Sequence, residues 1–370
     1  MTNSVIDFSS KKLKKVTKIK EFKNINSKII YYTIIAFVIL FLLILVASSI
    51  GAAKVPLNET FKLTLNGIPL IKNFIDISNI SSTNKTIIQN IRLPRVFLSV
   101  LVGMALSGVG VMYQGLFRNP MADPYIIGVS SGASLAASLA ILMGFSKGIG
   151  SISSIVAAAF AGALLSSFLV FNLARNRKGY INILQLILSG IAVGALLNAG
   201  TSFIMILSNK EQLQAVVFWM MGSFTSSLWI KVKVIGPIII LGLSGLFFYT
   251  KDLNAITLGE VRAKQLGINV EYMKNMIIIL CSLVVAAAVS VTGIIGFVGL
   301  VVPHMLRIIV GPDNRVLLPV SAIGGGIVLL VADTLARNIA EPREIPVGII
   351  TALIGAPFFI YLLKKAKNNY

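Results

Sequence analysis

The stretch KDLNAITLGEVRAKQLGINVEYMK, residues 251–274, is a charged island in a chain that is otherwise nearly all apolar. Between Ala255 and Leu266 the apolar residues Ile256, Leu258, Val261, Ala263 and Leu266 fall close to helical spacing. Glu260, Arg262 and Lys264 stand between them, and Gly267 follows where a helix would stop. The pattern predicts a short amphipathic helix outside the bilayer, within a polar connection spanning 251–275. A solvated loop with some helix in it would look the same in isolation. The sharper reading, a docking helix for a soluble partner, comes from what surrounds it.

The chain is 56% hydrophobic and 12% charged over 370 residues, with a mean hydropathy of +0.88, which is outside the range of soluble domains. The bilayer is therefore its solvent, and the formal charge of +20 is a question of which side the lysines occupy, not a sign of nucleic acid. Residues 1–28 carry eight lysines and two acids, and residues 29–50 then run apolar. That run is too long for the core of a cleaved signal peptide, so it reads as an uncleaved first span behind a basic cytoplasmic tail that holds anionic lipid. The lone Cys281 lies in an apolar run and reads as a buried structural thiol.

Nine more apolar segments follow, at 95–116, 126–144, 152–174, 181–207, 232–249, 276–291, 294–309, 316–335 and 345–363. Ten spans put both termini on one side. Most of the 33 Lys and Arg residues then fall on that side, which marks it as the cytoplasm. Under this topology 251–274 is the longest cytoplasmic connection. Residues 51–90 form a polar external loop, whose Asn-x-Ser/Thr matches at Asn58, Asn79 and Asn84 are what an Asn-rich loop gives by chance. Residues 211–224 are too short to span and read as an external or mouth-covering helix.

The spans are rich in small residues, among them Gly103, Ser107, Gly110, Gly128, Gly132, Ala136, Ala161, Ala195, Gly324 and Gly355. Such residues let backbones approach where lipid supplies no hydrophobic drive. Asn119-Pro120, Asp123-Pro124, Pro303 and Pro346 predict broken or short helices, tolerated in a membrane only where protein or water satisfies the freed backbone. Breaks of this kind often line a transport route.

Enzyme chemistry is nearly absent from the sequence. It has no Gly-x-x-x-x-Gly-Lys-Ser/Thr phosphate loop, no His-Glu-x-x-His and no Cys/His cluster. Gly128-Val129-Ser130-Ser131-Gly132 does match Gly-x-Ser-x-Gly, and with His304 would make an intramembrane serine protease. Gly and Ser at these spacings are also common packing residues. Arg92, Arg95 and Arg337 fall at the outer ends of spans, where a guanidinium fork suits carboxylates on a docking protein. Lipid anchoring is the alternative, and Asp333, one helical turn before Arg337, would occupy that arginine in a local ion pair.

Several runs together resemble FecCD-type permeases, the membrane subunits of type II ABC importers for iron siderophores, haem and vitamin B12. They are Arg92-Leu-Pro-Arg95, Gln114-Gly-Leu-Phe-Arg-Asn-Pro-Met-Ala-Asp-Pro124, Gly128-Val-Ser-Ser-Gly-Ala133, Leu258-Gly-Glu260, Gly296-Phe-Val-Gly-Leu300 with Pro303-His304 and Arg307, Asp333-Thr-Leu-Ala-Arg337, and Ile345-Pro-Val-Gly348. The likeness runs from about residue 28 to the end.

The resemblance implies an all-α, ten-helix permease, not an enzyme, in the cell membrane of a prokaryote, with no cofactor or metal of its own. Its expected partners are a second permease copy or homologue, a cytoplasmic ATPase dimer that hydrolyses ATP, and an extracytoplasmic binding protein. Arg92, Arg95 and Arg337 match the arginines that meet glutamates of the binding protein. Ala255, Leu258, Gly259, Glu260, Ala263, Leu266 and Gly267 match the segment that seats in the ATPase. The gates fall by position at the external helix, with Phe218 and Met221, and at the cytoplasmic turn from Arg177 to Asn182. The form Asp123-Pro-Tyr-Ile-Ile-Gly128 is closer to siderophore members than to B12 members, with haem or cobalamin as the alternative cargo. The Gly-x-Ser-x-Gly match becomes family packing sequence.

Overall fold

A backbone inside a bilayer has no water to bond, so uninterrupted apolar sequence is driven into helix. The computed structural model, which describes residues 3–51, 53–67, 74–145, 153–176 and 180–367, is helical throughout, with one isolated antiparallel pairing of Arg175 with Ile181. In chain order the helices are α1 Asn3–Ser49, α2 Leu57–Asn66, α3 Ser82–Thr86, α4 Leu93–Leu116, α5 Val129–Leu142, α6 Ser154–Leu173, α7 Ile183–Leu207 and α8 Lys210–Met220. There follow α9 Trp229–Phe248, α10 Thr250–Thr257, α11 Glu260–Gln265, α12 Val270–Thr292, α13 Val298–Val310, α14 Asn314–Asn338 and α15 Val347–Lys367. A wider π-helical turn, Ile87–Arg92, joins α3 to α4 without a break.

Seven of these are long and apolar enough to cross a membrane: the Ile25–Ser49 part of α1, the α3–α4 rod, α6, α7, α9, α12 and α14. With the shorter apolar helices α5, α13 and α15 they account for the ten predicted segments. The side on which α1 begins and α15 ends is called the near face below, and the opposite side the far face.

Asparagine and aspartate set several starts. Asn182, Asn209, Asn269 and Asp313 each accept a bond from the first turn of α7, α8, α12 and α14, and at Asn209 a reciprocal bond from Gln212 completes a capping box. The most apolar stretch of the α3–α4 rod is 83% buried and those of α12 and α14 72%, whereas that of α7 is 17% buried. Glycine sets a close crossing of α4 and α14: a β-carbon on Gly103 would meet the carbonyl of Gly325, and one on Gly325 would meet the carbonyl of Gly103.

The packing has an internal symmetry that the sequence hides. α4 packs on α13 as α12 packs on α5, and α4 on α14 as α12 on α6. Likewise α14 meets α15 as α6 meets α7, and α13 meets α15 as α5 meets α7. Helices α4–α7 and α12–α15 are thus two versions of one four-helix unit. They start from opposite faces of the membrane, because α4 is the second crossing and α12 the seventh.

Candidate functional site

The two units meet at their breaks. α5 has 14 residues and α13 has 13, too few as helix alone to cross about 30 Å of hydrocarbon; each starts inside the protein, and a non-helical approach completes the crossing. The approaches carry the same tripeptide, Ile126-Ile127-Gly128 and Ile294-Ile295-Gly296. Each helix is led by a left-handed residue, Gly128 at φ +76° and Phe297 at φ +68°. Tyr125 joins the approaches: its hydroxyl donates to the Ile295 carbonyl at 3.0 Å and accepts from the Ile295 amide at 3.2 Å. Gln114 of α4 donates to the Leu300 carbonyl at 3.0 Å. The freed backbone is therefore satisfied by side chains, the condition under which irregular chain survives in a membrane.

At the far face the three predicted docking arginines point inward. Arg95 forms a fork with buried Asp333, with Nη2 to Oδ1 at 2.9 Å, and a second ion pair from Nη1 to Glu344 at 2.9 Å. Arg337 pairs with Asp333 at 3.4 Å, as its one-turn spacing allows, and reaches the Ala47 carbonyl of α1. Arg92 donates to the carbonyls of Ser48, Ser49 and Ala53. All three are buried, so they tie α1, α4 and α14 together and leave no open row of guanidinium groups. Glu344, which the sequence reading passed over, is the cluster's outward member, its side chain 38% exposed. It also accepts a bond from Thr225, in the segment after α8, at 3.1 Å. The run Glu341-Pro-Arg-Glu344 was the only available signal for it, and loop charges give no partner.

The short external helix is α8. Behind it lies a cavity of about 610 Å³ between the far ends of α6, α9 and α12, lined in part by Phe218, Trp219, Thr225, Ser226 and Lys231. Of the predicted gate residues, Phe218 lines this cavity, Met221 is exposed with its carbonyl against Gly348, and Asn182 caps α7. Arg177 lies outside the described residues.

At the near face the charged island forms a corner, not one helix. α10 ends as Thr257 bonds back to the Asn254 carbonyl at 2.7 Å, Gly259 turns the chain at φ +124°, and α11 starts on Glu260. The predicted single helix from Ala255 to Leu266 is corrected accordingly: only glycine adopts that φ without strain, and it divides the segment. Leu253, Ile256 and Ala263 are buried, while Leu258, Val261 and Leu266 are 64%, 71% and 69% exposed. Asn254 ties the corner to α14, donating to Asp313 at 2.7 Å and accepting from the Asn314 amide at 3.0 Å. Buried Lys274 donates to Glu260 of α11 at 3.0 Å and to Glu271 at 3.4 Å, and the other oxygen of Glu271 accepts from the Ile181 amide at 3.2 Å. One lysine thus links α11 to the turn that begins α7.

The serine protease alternative is not assembled. Among the described residues no hydrogen bond joins Ser130 to His304; α5 packs on α6, α7, α8 and α12, and α13 on α4, α14 and α15. The same residues hold no cluster of three His, Cys, Asp or Glu side chains suited to a metal ion.

Comparison with known proteins agrees with this architecture. A solved structure of a metal-chelate type ABC transporter in an inward-facing conformation superposes with a TM-score of 0.76 at 32% identity, covering 90% of this chain and 98% of that one. The cobalamin import system permease protein BtuC of Halobacterium salinarum is 47% identical over 285 residues, 77% of this chain and 75% of the relative. The hemin transport system permease protein HmuU of Yersinia pestis is 43% identical over 76% of this chain and 84% of its own. The Fe(3+)-citrate import system permease protein YfmE of Bacillus subtilis is 38% identical over 75% and 82%. The sequence pattern of the FecCD transport family matches residues 38–365, nearly the whole span-forming chain, and this multi-pass membrane protein belongs to that family.

Proposed function

We propose that the chain is the permease subunit of an ATP-driven importer whose cargo is an iron(III)–siderophore complex, handed over at the far face by a binding protein. The near face is then the cytoplasm. The observation that carries the reading is the corner at Gly259: three large apolar side chains, Leu258, Val261 and Leu266, stand exposed on a polar connection that is anchored to α14 through Asn254. Such a surface suits an ATPase subunit, and the bonded route behind it gives the partner's movement a path into the spans. ATP is hydrolysed on the partner; this chain forms no covalent intermediate.

A second permease copy or a homologue completes the route in this reading. α7 supports it, since a helix only 17% buried along its most apolar stretch exposes Gln185, Asn198 and Ser202 along with its leucines, a poor surface for lipid. Movement of α11 against Lys274 would shift the turn that begins α7, and with it one wall of the path. At the far face Arg95 would receive a binding-protein carboxylate by exchange for Glu344, a reading supported by the partial exposure of Glu344. Haem or cobalamin is the second reading of the cargo, favoured by the higher identities to the hemin and cobalamin permeases.

Uptake of labelled ferric siderophore, haem and cobalamin, in cells carrying the permease with its partners and in a partner-ATPase mutant, tests this. ATPase-dependent siderophore uptake alone is the expected result. Uptake of only haem or cobalamin reassigns the cargo, and uptake indifferent to the ATPase mutation overturns the importer.

A further inference from the structure

The fold supplies a carboxylate to most of its buried cations, but not to Lys231. Arg95 and Arg337 have Asp333, and Lys274 has Glu260 and Glu271. Lys231, in the first turn of α9, is 8% exposed, yet among the described residues its ammonium forms no ion pair and donates to one hydroxyl, Ser226 Oγ, at 2.7 Å. Burying an ammonium costs several kcal/mol unless a counter-charge or several acceptors replace water. One neutral hydroxyl leaves most of that cost unmet.

The lysine lines the cavity of about 610 Å³ behind α8, a size that takes a small amphiphile's head. The walls divide in two. Thr225, Ser226 and the ammonium offer hydrogen bonds; Val156, Phe218 and Ile230 offer an apolar flank. Beyond the cavity α9 exposes Val234 and, two turns further on, Leu241, a surface for acyl chains. Trp229, Lys231 and Lys233 sit together at the far end of the span, the arrangement found at headgroup level.

We infer that this cavity is a phospholipid site, in which Lys231 and Ser226 hold the phosphate of an anionic headgroup while the glycerol and upper acyl chains lie against Val156, Phe218 and Ile230. The phosphate supplies the missing counter-charge. Because Phe218 and Trp219 of α8 form part of the wall, the lipid braces that helix from behind.

The test uses the permease purified with its partner chains and reconstituted in nanodiscs of phosphatidylglycerol diluted in phosphatidylcholine, with bound lipid counted by native mass spectrometry. Wild type is expected to retain one more phosphatidylglycerol per permease copy than Lys231→Gln, while Lys233→Gln, which alters an exposed lysine nearby, matches wild type. Equal retention by wild type and Lys231→Gln overturns the site. Lys231→Arg keeps the charge and is expected to keep the lipid; if it loses the lipid as fully as Lys231→Gln, shape and not charge decides, and the assignment fails. Delipidated protein is also titrated with inorganic phosphate: Lys231-dependent stabilisation by phosphate, without retained phosphatidylglycerol, reassigns the cavity to a soluble anion and overturns the lipid.

Discussion

Arg95 and Asp333 are 238 positions apart in sequence, yet Nε and Nη2 of the arginine together grip the carboxylate of the aspartate at 2.9–3.1 Å. The pair is buried at the far ends of α4 and α14, two helices that approach each other closely through Gly103 and Gly325. Removing one partner of a buried pair strands the other charge. Asp333→Leu is therefore expected to destabilise the permease by about 3–5 kcal/mol, read as a lowered unfolding temperature in detergent. Adding Arg95→Met should recover part of the loss, with Arg337 left as the remaining uncompensated charge.

If Arg95 receives a binding-protein carboxylate as proposed, Glu344, its present partner, competes with that carboxylate. Glu344→Ala should tighten binding-protein association by up to about tenfold, equivalent to about 1.4 kcal/mol, in a calorimetric titration of the reconstituted complex. Unchanged or weaker association would show that Arg95 is structural only.

Lys274 is a charged link between α11 and, through Glu271, the start of α7. Lys274→Met replaces it by a side chain of similar length with no hydrogen bond to give. ATP hydrolysis by the assembled transporter should persist while substrate uptake falls at least about tenfold, a barrier increase of about 1.4 kcal/mol. Equal loss of both activities would place Lys274 in assembly and not in transmission.

Leu258 and Leu266 are predicted contacts of the ATPase. Leu258→Asp or Leu266→Asp should each weaken co-purification of the ATPase by at least about tenfold, as expected for a buried apolar anchor worth about 2 kcal/mol. Thermal stability of the permease alone should not change, because both side chains are exposed.

Much of the fold was legible because the bilayer reduces the problem to apolar length. All ten segments could be read from hydropathy, and the corner's position from its charge. The depth of α5 and α13 could not, since an apolar run looks the same whether it crosses the membrane or begins halfway through it. Arg95 and Arg337 stood out as cations at the outer ends of spans, but the inward orientation of Arg95 depended on Asp333 and Glu344, far away in sequence. The local pair of Asp333 with Arg337 was readable at one-turn spacing; Glu344, which reaches Arg95 from a loop, was not. Gly259 announced a turn only to a reader who already doubted the helix around it, because Ile256, Ala263 and Leu266 keep the helical period across it.

Asn254 is bonded to the first residues of α14, and the arginine cluster lies at its last turns. Between them run 25 helical residues, about 37 Å. The glycine crossing leaves α14 almost no freedom to slide along α4, so the two helices behave as one beam. A push at one end is felt at the other as displacement of the whole beam and needs no chain of rearranging side chains in between. In the importer proposed above, cargo release on one side and docking on the other are then two readings of a single mechanical coordinate.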